Sequence, residues 1–286
     1  MGIVLEKYHG LGNDYLVLDP RRHSMEPSEA RIRLLCDRNF GFGSDGLLYG
    51  PTAASGGRIG MRIYNPDGSE AEKSGNGVRI FARYLRDFGY VEDDAFTLST
   101  LGGDVHVSCL GGDGRLIRAM MGGVTFRSGL IPVAGADREV VGERMGFGGA
   151  EYEVTCLSIG NPHCVIPMDE ISREKALEIG RVAESAPCFP NRINVQLMKV
   201  MDRGSIAIEI YERGAGYTLA SGSSSCAAAS AARRLGLVDG DVTVHMPGGA
   251  LEVEMRGDGS VYMTGPVARV GELRCSDELM EALAGL

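Results

Sequence analysis

Ile59, Met61 and Ile63 alternate with Gly60 and Arg62 and run into Tyr64. Such period-two alternation of branched apolar residues predicts a half-buried strand. Ile206, Ile208 and Ile210 alternate in the same way and run into Tyr211, 147 positions later. After the first run, Val78, Phe81, Ala82 and Leu85 fall at i, i+3, i+4 and i+7, which predicts one buried face of a helix. Longer helical patterns are few, over roughly 28–38, 75–88, 170–184, 222–235 and 276–284. Between them lie short alternating runs punctuated by glycine, such as "LGGDVHV", "GFGGAEYEV" and "PGGALEVEMRGDGSVYMTG". That pattern predicts many short antiparallel strands joined by tight turns.

The 147-residue offset governs more than the strands. "EKSGNGVRIFARYLRDFGYV" at 72–91 returns as "LASGSSSCAAASAARRLGLV" at 219–238, matching Ser74 to Ser221, Gly75 to Gly222, Arg86 to Arg233 and Gly89 to Gly236. Each copy reads as strand, loop, Ser-Gly corner, then a helix stopped by a glycine. An offset near half the chain predicts a duplicated domain rather than a solenoid. The expected fold is α+β with two pseudo-symmetric halves, each a mostly antiparallel sheet around a central helix. The expected boundaries are 1–118 and 119–264, with 265–286 returning to the N-terminal half.

Bulk composition narrows the function. A chain of 286 residues, 44% hydrophobic and 23% charged, is globular and able to bury sizeable cores. The formal net charge is −9 with scattered Lys and Arg, which argues against nucleic acid as a principal partner. No stretch approaches the roughly 20 apolar residues of a membrane span, and "MGIVLEKYHG" lacks the apolar run of a signal peptide. Seven cysteines without a CxxC pair predict reduced cytoplasmic thiols and no zinc site.

"GFGSDG" at 41–46 fits G-x-G-x-x-G, but it follows the helix-like "RIRLLCDRNF" rather than a strand, so it reads as a turn and not a dinucleotide site. The Ser-Gly corners carry more. Each lies at a predicted helix N-terminus, where unpaired N–H groups and the helix dipole favour an anion. Either serine alone reads as an N-cap. Two equivalent corners could hold one carboxylate and put a side chain on each face of the carbon bearing it, the geometry for exchanging a proton between faces. Loop asparagines 13, 65, 76, 161 and 194, with the adjacent Glu212 and Arg213, could supply donors and acceptors for an amino acid.

The chain resembles the diaminopimelate epimerase family along nearly its whole length. "HGLGNDYLVLD", "RNFGFGSDGLL", "RIYNPDGSEAE", "GNGVRIFARYL", "GNPHCV", "YERGAG", "PGGALEVE" and "YMTGPV" occur in that family's order and approximate spacing. The resemblance implies two α/β halves with an active site in the cleft between them. It implies amino-acid epimerisation in lysine biosynthesis without pyridoxal phosphate, metal or other cofactor. A small-molecule amino acid is the partner implied, with a homodimer a permitted assembly. Asn13, Asn65, Asn161, Asn194, Glu212 and Arg213 would hold the non-reacting end of the substrate. The backbones of Gly75, Asn76, Gly222 and Ser223 would hold the reacting carboxylate.

The departures fall at the chemistry. The family carries a cysteine at each corner, one as base and one as acid, whereas this chain has Ser74 and Ser221. Tyr217 stands for the family's Glu, and Ser224 for a glycine. A thiol titrates near ~8.5 and a serine hydroxyl nearer water's ~15.7, a gap of roughly 7 units or on the order of 10 kcal/mol. Three readings follow. In the first, both serines are engineered replacements for the thiols of a diaminopimelate epimerase, made to trap ligand without turnover. Alternatively, a naturally divergent member removes an α-proton with another base, Lys73, Tyr217 or His163 being candidates, and so carries out a different isomerisation or an elimination. In the third, the chain is an amino-acid-binding paralogue without catalysis.

Overall fold

A computed structural model describes residues 2–286. The chain divides into two compact units, Met1–Ala119 with Gly265–Leu286, and Met120–Thr264. The first unit contains β1 (Val4–Gly10), β2 (Asn13–Leu18), α1 (Glu29–Cys36), β3 (Leu47–Ala53), β4 (Ile59–Tyr64), β5 (Glu70–Ala71), α2 (Gly75–Asp87), β6 (Ala95–Thr100), β7 (Gly103–Leu110) and the start of β8 (Leu116–Gly123). The second contains β9 (Glu143–Phe147), β10 (Ala150–Ser158), β11 (Pro162–Pro167), α3 (Arg173–Ala183), β12 (Asn194–Asp202), β13 (Ser205–Glu212), β14 (Gly216–Thr218), α4 (Gly222–Arg234), β15 (Val242–Met246), β16 (Gly249–Met255) and most of β17 (Ser260–Pro266). β18 (Ala268–Arg274) and α5 (Asp277–Ala284) rejoin the first unit.

The duplication extends to topology. In the first unit the strands neighbour one another in the order β18, β1, β2, β3, β4, β6, β7, β8, with β5 on β4. In the second the order is β9, β10, β11, β12, β13, β15, β16, β17, with β14 on β13. Two pairs per unit are parallel, β2–β3 and β4–β6 against β11–β12 and β13–β15. Register repeats too: Leu16 faces Leu47 as His163 faces Asn194, each 147 residues on. β18 therefore fills in the first unit the edge that β9 fills in the second.

Among the described residues serine starts every α-helix. Ser28, Ser74, Ser172, Ser221 and Ser276 are the N-caps of α1 to α5, and each hydroxyl accepts from the N–H three residues on. Glycines stop the two central helices alike. Gly89 (φ +69°) and Gly236 (φ +72°) take the left-handed conformation, with Tyr90 N–H bonded to Leu85 O and Leu237 N–H to Ala232 O.

α2 lies against β1, β2, β3 and β7, and α4 against strands from β10 to β16. Both are buried on nearly all sides, so the single apolar face expected for α2 widens to include Ile80 and Tyr84. A helix enclosed by strands has no solvent face to make polar. The filling differs. α2 uses Phe81, Tyr84 and Leu85, with Tyr84 against Tyr8, Phe88 and Tyr90, and its hydroxyl on Asp19 at 2.5 Å. α4 offers Ala227, Ala228, Ala229, Ala231 and Ala232, small enough for strands to approach its backbone. The remaining core of the first unit lies around Leu16, Leu18, Ile32, Leu35 and Leu47, and that of the second around Val154, Ile166, Ile179 and Val195. No helix among the described residues is long and apolar enough to cross a membrane.

Candidate active site

The first corner is built from β2 and the start of α2. Ser74 Oγ accepts from Gly77 N–H at 3.0 Å and lies 3.1 Å from the hydroxyl of Tyr15. Residues two apart on a strand share a face, so Asn13 points the same way as Tyr15 and meets the same helix start. Asn76 Nδ2 donates to Asn13 Oδ1 at 2.9 Å, and Asn13 Nδ2 donates to Asp45 Oδ2 at 2.9 Å. Behind them Arg79, fully buried, donates from Nη2 to Asn76 Oδ1 at 2.8 Å. Asp45 is held in turn by Arg38, which also pairs with Asp14, itself bound by Lys7. Burial pushes the Asp14 carboxyl up, but Lys7 and Arg38 outweigh it and hold the group below its ordinary value. Three side chains with amide or guanidinium donors thus fix one another's orientation at a helix N-terminus.

Asn65 is placed differently. It opens the turn after β4, its Nδ2 on Ser69 Oγ at 3.0 Å and its N–H on Ser69 O, and it is exposed. None of these bonds ties it to the Ser74 corner. Lys73 precedes Ser74 and is half-buried. The "GFGSDG" segment follows α1 directly, and Gly43 (φ +70°) has room only for hydrogen beside Arg38. It is a turn, without the strand a dinucleotide loop requires.

The second corner repeats the plan with other side chains. Ser221 Oγ accepts from Ser224 N–H at 3.4 Å and lies 3.5 Å from Ser223 Oγ. Ser223 occupies the place of Asn76, and Asn161 Nδ2 donates to its hydroxyl at 3.4 Å. Asn194 ties the adjacent strands, donating to Pro162 O at 2.8 Å and accepting from Arg213 N–H at 3.0 Å. Glu212 and Arg213 stand at the end of β13, where Glu212 pairs with Gly216 across the hairpin. All the residues named for this half are joined through these bonds or by chain adjacency to them.

Behind Asn161 lies a buried polar run. His163 Nε2 is 3.0 Å from Asn161 Oδ1, and Gln196 lies between His163 and Ser224, 3.1 Å from the Ser224 hydroxyl. Gln196 Nε2 is the donor to the Ser224 hydroxyl, which leaves Gln196 Oε1 for the His163 side of the run, where a hydrogen bond favours the charged imidazole. Burial lowers the His163 imidazole to about 3, opposed by the Gln196 bond and reinforced by Arg213. It is a neutral positioning group rather than a proton acceptor.

Tyr217 is also occupied. Its hydroxyl donates to Glu209 at 2.7 Å, and Arg173 lies over its ring. Burial and that carboxylate push the phenol up to about 12. Of three candidate bases read from sequence, two are thus held in states unsuited to the task. The residue that sequence reasoning missed is Tyr15. The signal was available in "NDY", where Asn13 and Tyr15 alternate onto one strand face. Among the described residues no cluster of metal-ligating side chains occurs.

Comparison with known proteins identifies the family and the fold. The family model described as diaminopimelate epimerase matches residues 5–127 and 155–270. "Diaminopimelate epimerase 2" of Nostoc sp. is 49% identical over 96% of this chain and 95% of its own length. The diaminopimelate epimerase of Synechocystis sp. is 39% identical over 94% of this chain and 98% of its own. Among solved structures, a probable proline racemase from Agrobacterium radiobacter superposes with TM-score 0.70 at 13% identity, covering 96% of this chain and 93% of that one. A hydroxyproline epimerase from Agrobacterium vitis gives TM-score 0.69 at 14% identity, covering 96% and 90%. These last two are likenesses of fold.

Proposed function

Because the chain belongs to the diaminopimelate epimerase family, an isomerase family, we propose that it acts at the α-carbon of a diaminopimelate-like amino acid, with Ser74 and Ser221 at the two acid/base positions. The observation that carries the reading is the repetition of one corner in both units. Each has a serine N-cap, an asparagine at or just before the start of a strand reaching the second residue of the helix, and N–H groups without intrahelical acceptors. A substrate carboxylate suits such helix starts, which favour negative charge and stabilise the further charge that builds up as the α-proton leaves.

Asn13, Asn65, Asn161, Asn194, Glu212 and Arg213 are assigned to the distal ammonium and carboxylate. Gly75, Asn76, Gly222 and Ser223 are assigned to the reacting end. A substrate with charge at both ends matches a donor set this rich in amides and including one carboxylate and one guanidinium. The reaction is proton removal and return, so no cofactor enters it.

One observation favours binding without turnover. Both serine hydroxyls are engaged as helix caps, and a serine is a far weaker acid than a thiol. The deciding experiment is proton NMR in D2O with LL- and meso-diaminopimelate, following loss of the α-proton signal. It is run on the protein as it stands and on the Ser74→Cys, Ser221→Cys double variant. Exchange by the double variant is the expected result and identifies the pocket. A folded double variant that neither exchanges nor binds diaminopimelate overturns the substrate assignment. Exchange by the variant alone, with binding by both, moves the unmodified protein to the binding reading.

A further inference from the structure

We propose that Tyr15 is the proton-relay partner of Ser74, so that a phenol and a serine together take the role of a thiol at the first corner. The inference rests on the α-carbon chemistry above. Its structural basis is the 3.1 Å approach of Tyr15 Oη to Ser74 Oγ, which also accepts from Gly77 N–H at 3.0 Å. With one lone pair of Oγ taken by that N–H, the serine proton is free to point along the contact to Tyr15.

The placement of the ring is built in. Tyr15 is 7% exposed, on the strand face that also carries Asn13 to the helix start. Gly46 makes room for it. A Cβ at position 46 would lie 2.6 Å from Tyr15 Cε1 and 2.5 Å from Tyr64 O, so only glycine lets the ring reach the corner. The second unit has no counterpart. By offset and strand register the position equivalent to Tyr15 is Pro162, which carries no proton. The groups around Ser221 Oγ are the Ser223 hydroxyl and the Ser224 N–H, neither of which titrates near neutral pH.

The step balances without a co-reactant. The Cα–H bond of the substrate breaks as Ser74 Oγ takes that proton, while the proton already on Ser74 passes to the Tyr15 phenolate. The negative charge moves from the phenolate to the substrate's carboxylate-stabilised carbanion; once the Ser74 and Tyr15 hydroxyl protons have exchanged with D2O, the reverse transfers put a deuteron on Cα and restore the phenolate. A phenol titrates near ~10 against ~8.5 for a thiol. The relay therefore places the charge on a phenol, a stronger acid than a serine hydroxyl.

The test is a double-variant comparison read by α-proton exchange of meso-diaminopimelate in D2O, with kcat and KM separated. Tyr15→Phe keeps the ring and removes the hydroxyl. In the unmodified protein it is expected to lower kcat by about 10²–10⁴-fold, the usual worth of one acid/base group, with KM within threefold. In a Ser74→Cys background, where the thiol needs no relay, the same change is expected to cost less than threefold. Equal losses in both backgrounds would make Tyr15 a packing residue and overturn the inference, as would an unmodified protein indifferent to Tyr15→Phe. If the unmodified protein exchanges nothing while the Ser74→Cys, Ser221→Cys variant does, the relay is refuted and the substrate assignment stands. If neither exchanges, both fall.

Discussion

Arg79 offers the sharpest test of how the first corner is held. Its side chain is fully buried, and its Nη2 donates to Asn76 Oδ1 at 2.8 Å. That one bond sets the direction of two amides, since Asn76 must then turn its NH2 to Asn13, and Asn13 its own to Asp45. Arg79→Met keeps most of the volume and removes the donor. A hydrogen bond from a charged group contributes about 1.5–3 kcal/mol, and a buried carbonyl left unsatisfied costs a similar amount. Relief from burying the guanidinium offsets part of the loss. A net loss of roughly 2 kcal/mol would lower Tm by about 4–8 °C in a unit of this size. Freed from its anchor, the Asn76 amide can turn over, and the affinity for meso-diaminopimelate should fall about tenfold, equivalent to ~1.4 kcal/mol. Thermal melting by circular dichroism and calorimetric titration measure the two effects. A Tm within 1 °C of the unmodified protein together with an unchanged Kd would refute this account of the corner.

Three further outcomes follow from the same geometry. His163 titrates at about 3 when folded and near ~6.5 when unfolded. The depressed folded value means that its contribution is complete above about 6.5 and declines as pH falls toward 3, by ~1.36 kcal/mol per unit. Melting at pH 7.5 and 5.5 should show the decline, and His163→Gln should flatten it; an unchanged slope would show that His163 protonates in the fold. Tyr217→Phe removes only a hydroxyl bound to Glu209, so exchange rates measured by NMR should stay within threefold, and a larger drop would return Tyr217 to the list of bases. Asp19 accepts from Tyr84 at 2.5 Å, Tyr90 at 2.6 Å and Arg21 N–H at 2.7 Å, all beside α2. Asp19→Asn turns a donor toward one of those hydroxyls and should cost about 2–3 kcal/mol in urea unfolding; a loss under ~0.5 kcal/mol would show that the tyrosines repartner freely.

What could be read from sequence follows periodicity and caps. The helices expected over 75–88 and 222–235 run over Gly75–Asp87 and Gly222–Arg234, because a serine cap and a left-handed glycine mark both ends chemically. Strand partners are another matter. Nothing in "NDYLVLD" states that β2 runs parallel to β3, since alternation encodes which face is buried and not which strand lies beside it. The environments of His163 and Tyr217 were equally hidden. A histidine two residues from an asparagine reads the same in a cleft as in a core, and only the packing around it decides its charge. Tyr15 is not marked by the sequence because its partner Ser74 lies 59 residues away, with three strands and a helix between them.

Duplication explains why two serines sit where they do, and divergence within it explains what each can do. Both cap a helix through the third N–H, a role either keeps whatever the chemistry, so each hydroxyl could survive the loss of a thiol without unfolding its corner. The surroundings of the two differ. One corner gained or kept a phenol within hydrogen-bond reach, while the other has a proline at the equivalent position and a neutral histidine turned toward Asn161. Epimerisation needs proton transfer on both faces of the α-carbon, but solvent exchange needs only one. A protein with a relay at Ser74 and none at Ser221 should therefore wash out the α-proton of one stereocentre with retention far faster than it inverts it. Starting from LL- and meso-diaminopimelate separately, deuterium incorporation by NMR and stereochemical composition by chiral chromatography give the two rates. Exchange exceeding inversion by tenfold or more is the expected result. Equal rates would mean that Ser221 has a relay of its own, and the asymmetry drawn from Pro162 would be wrong.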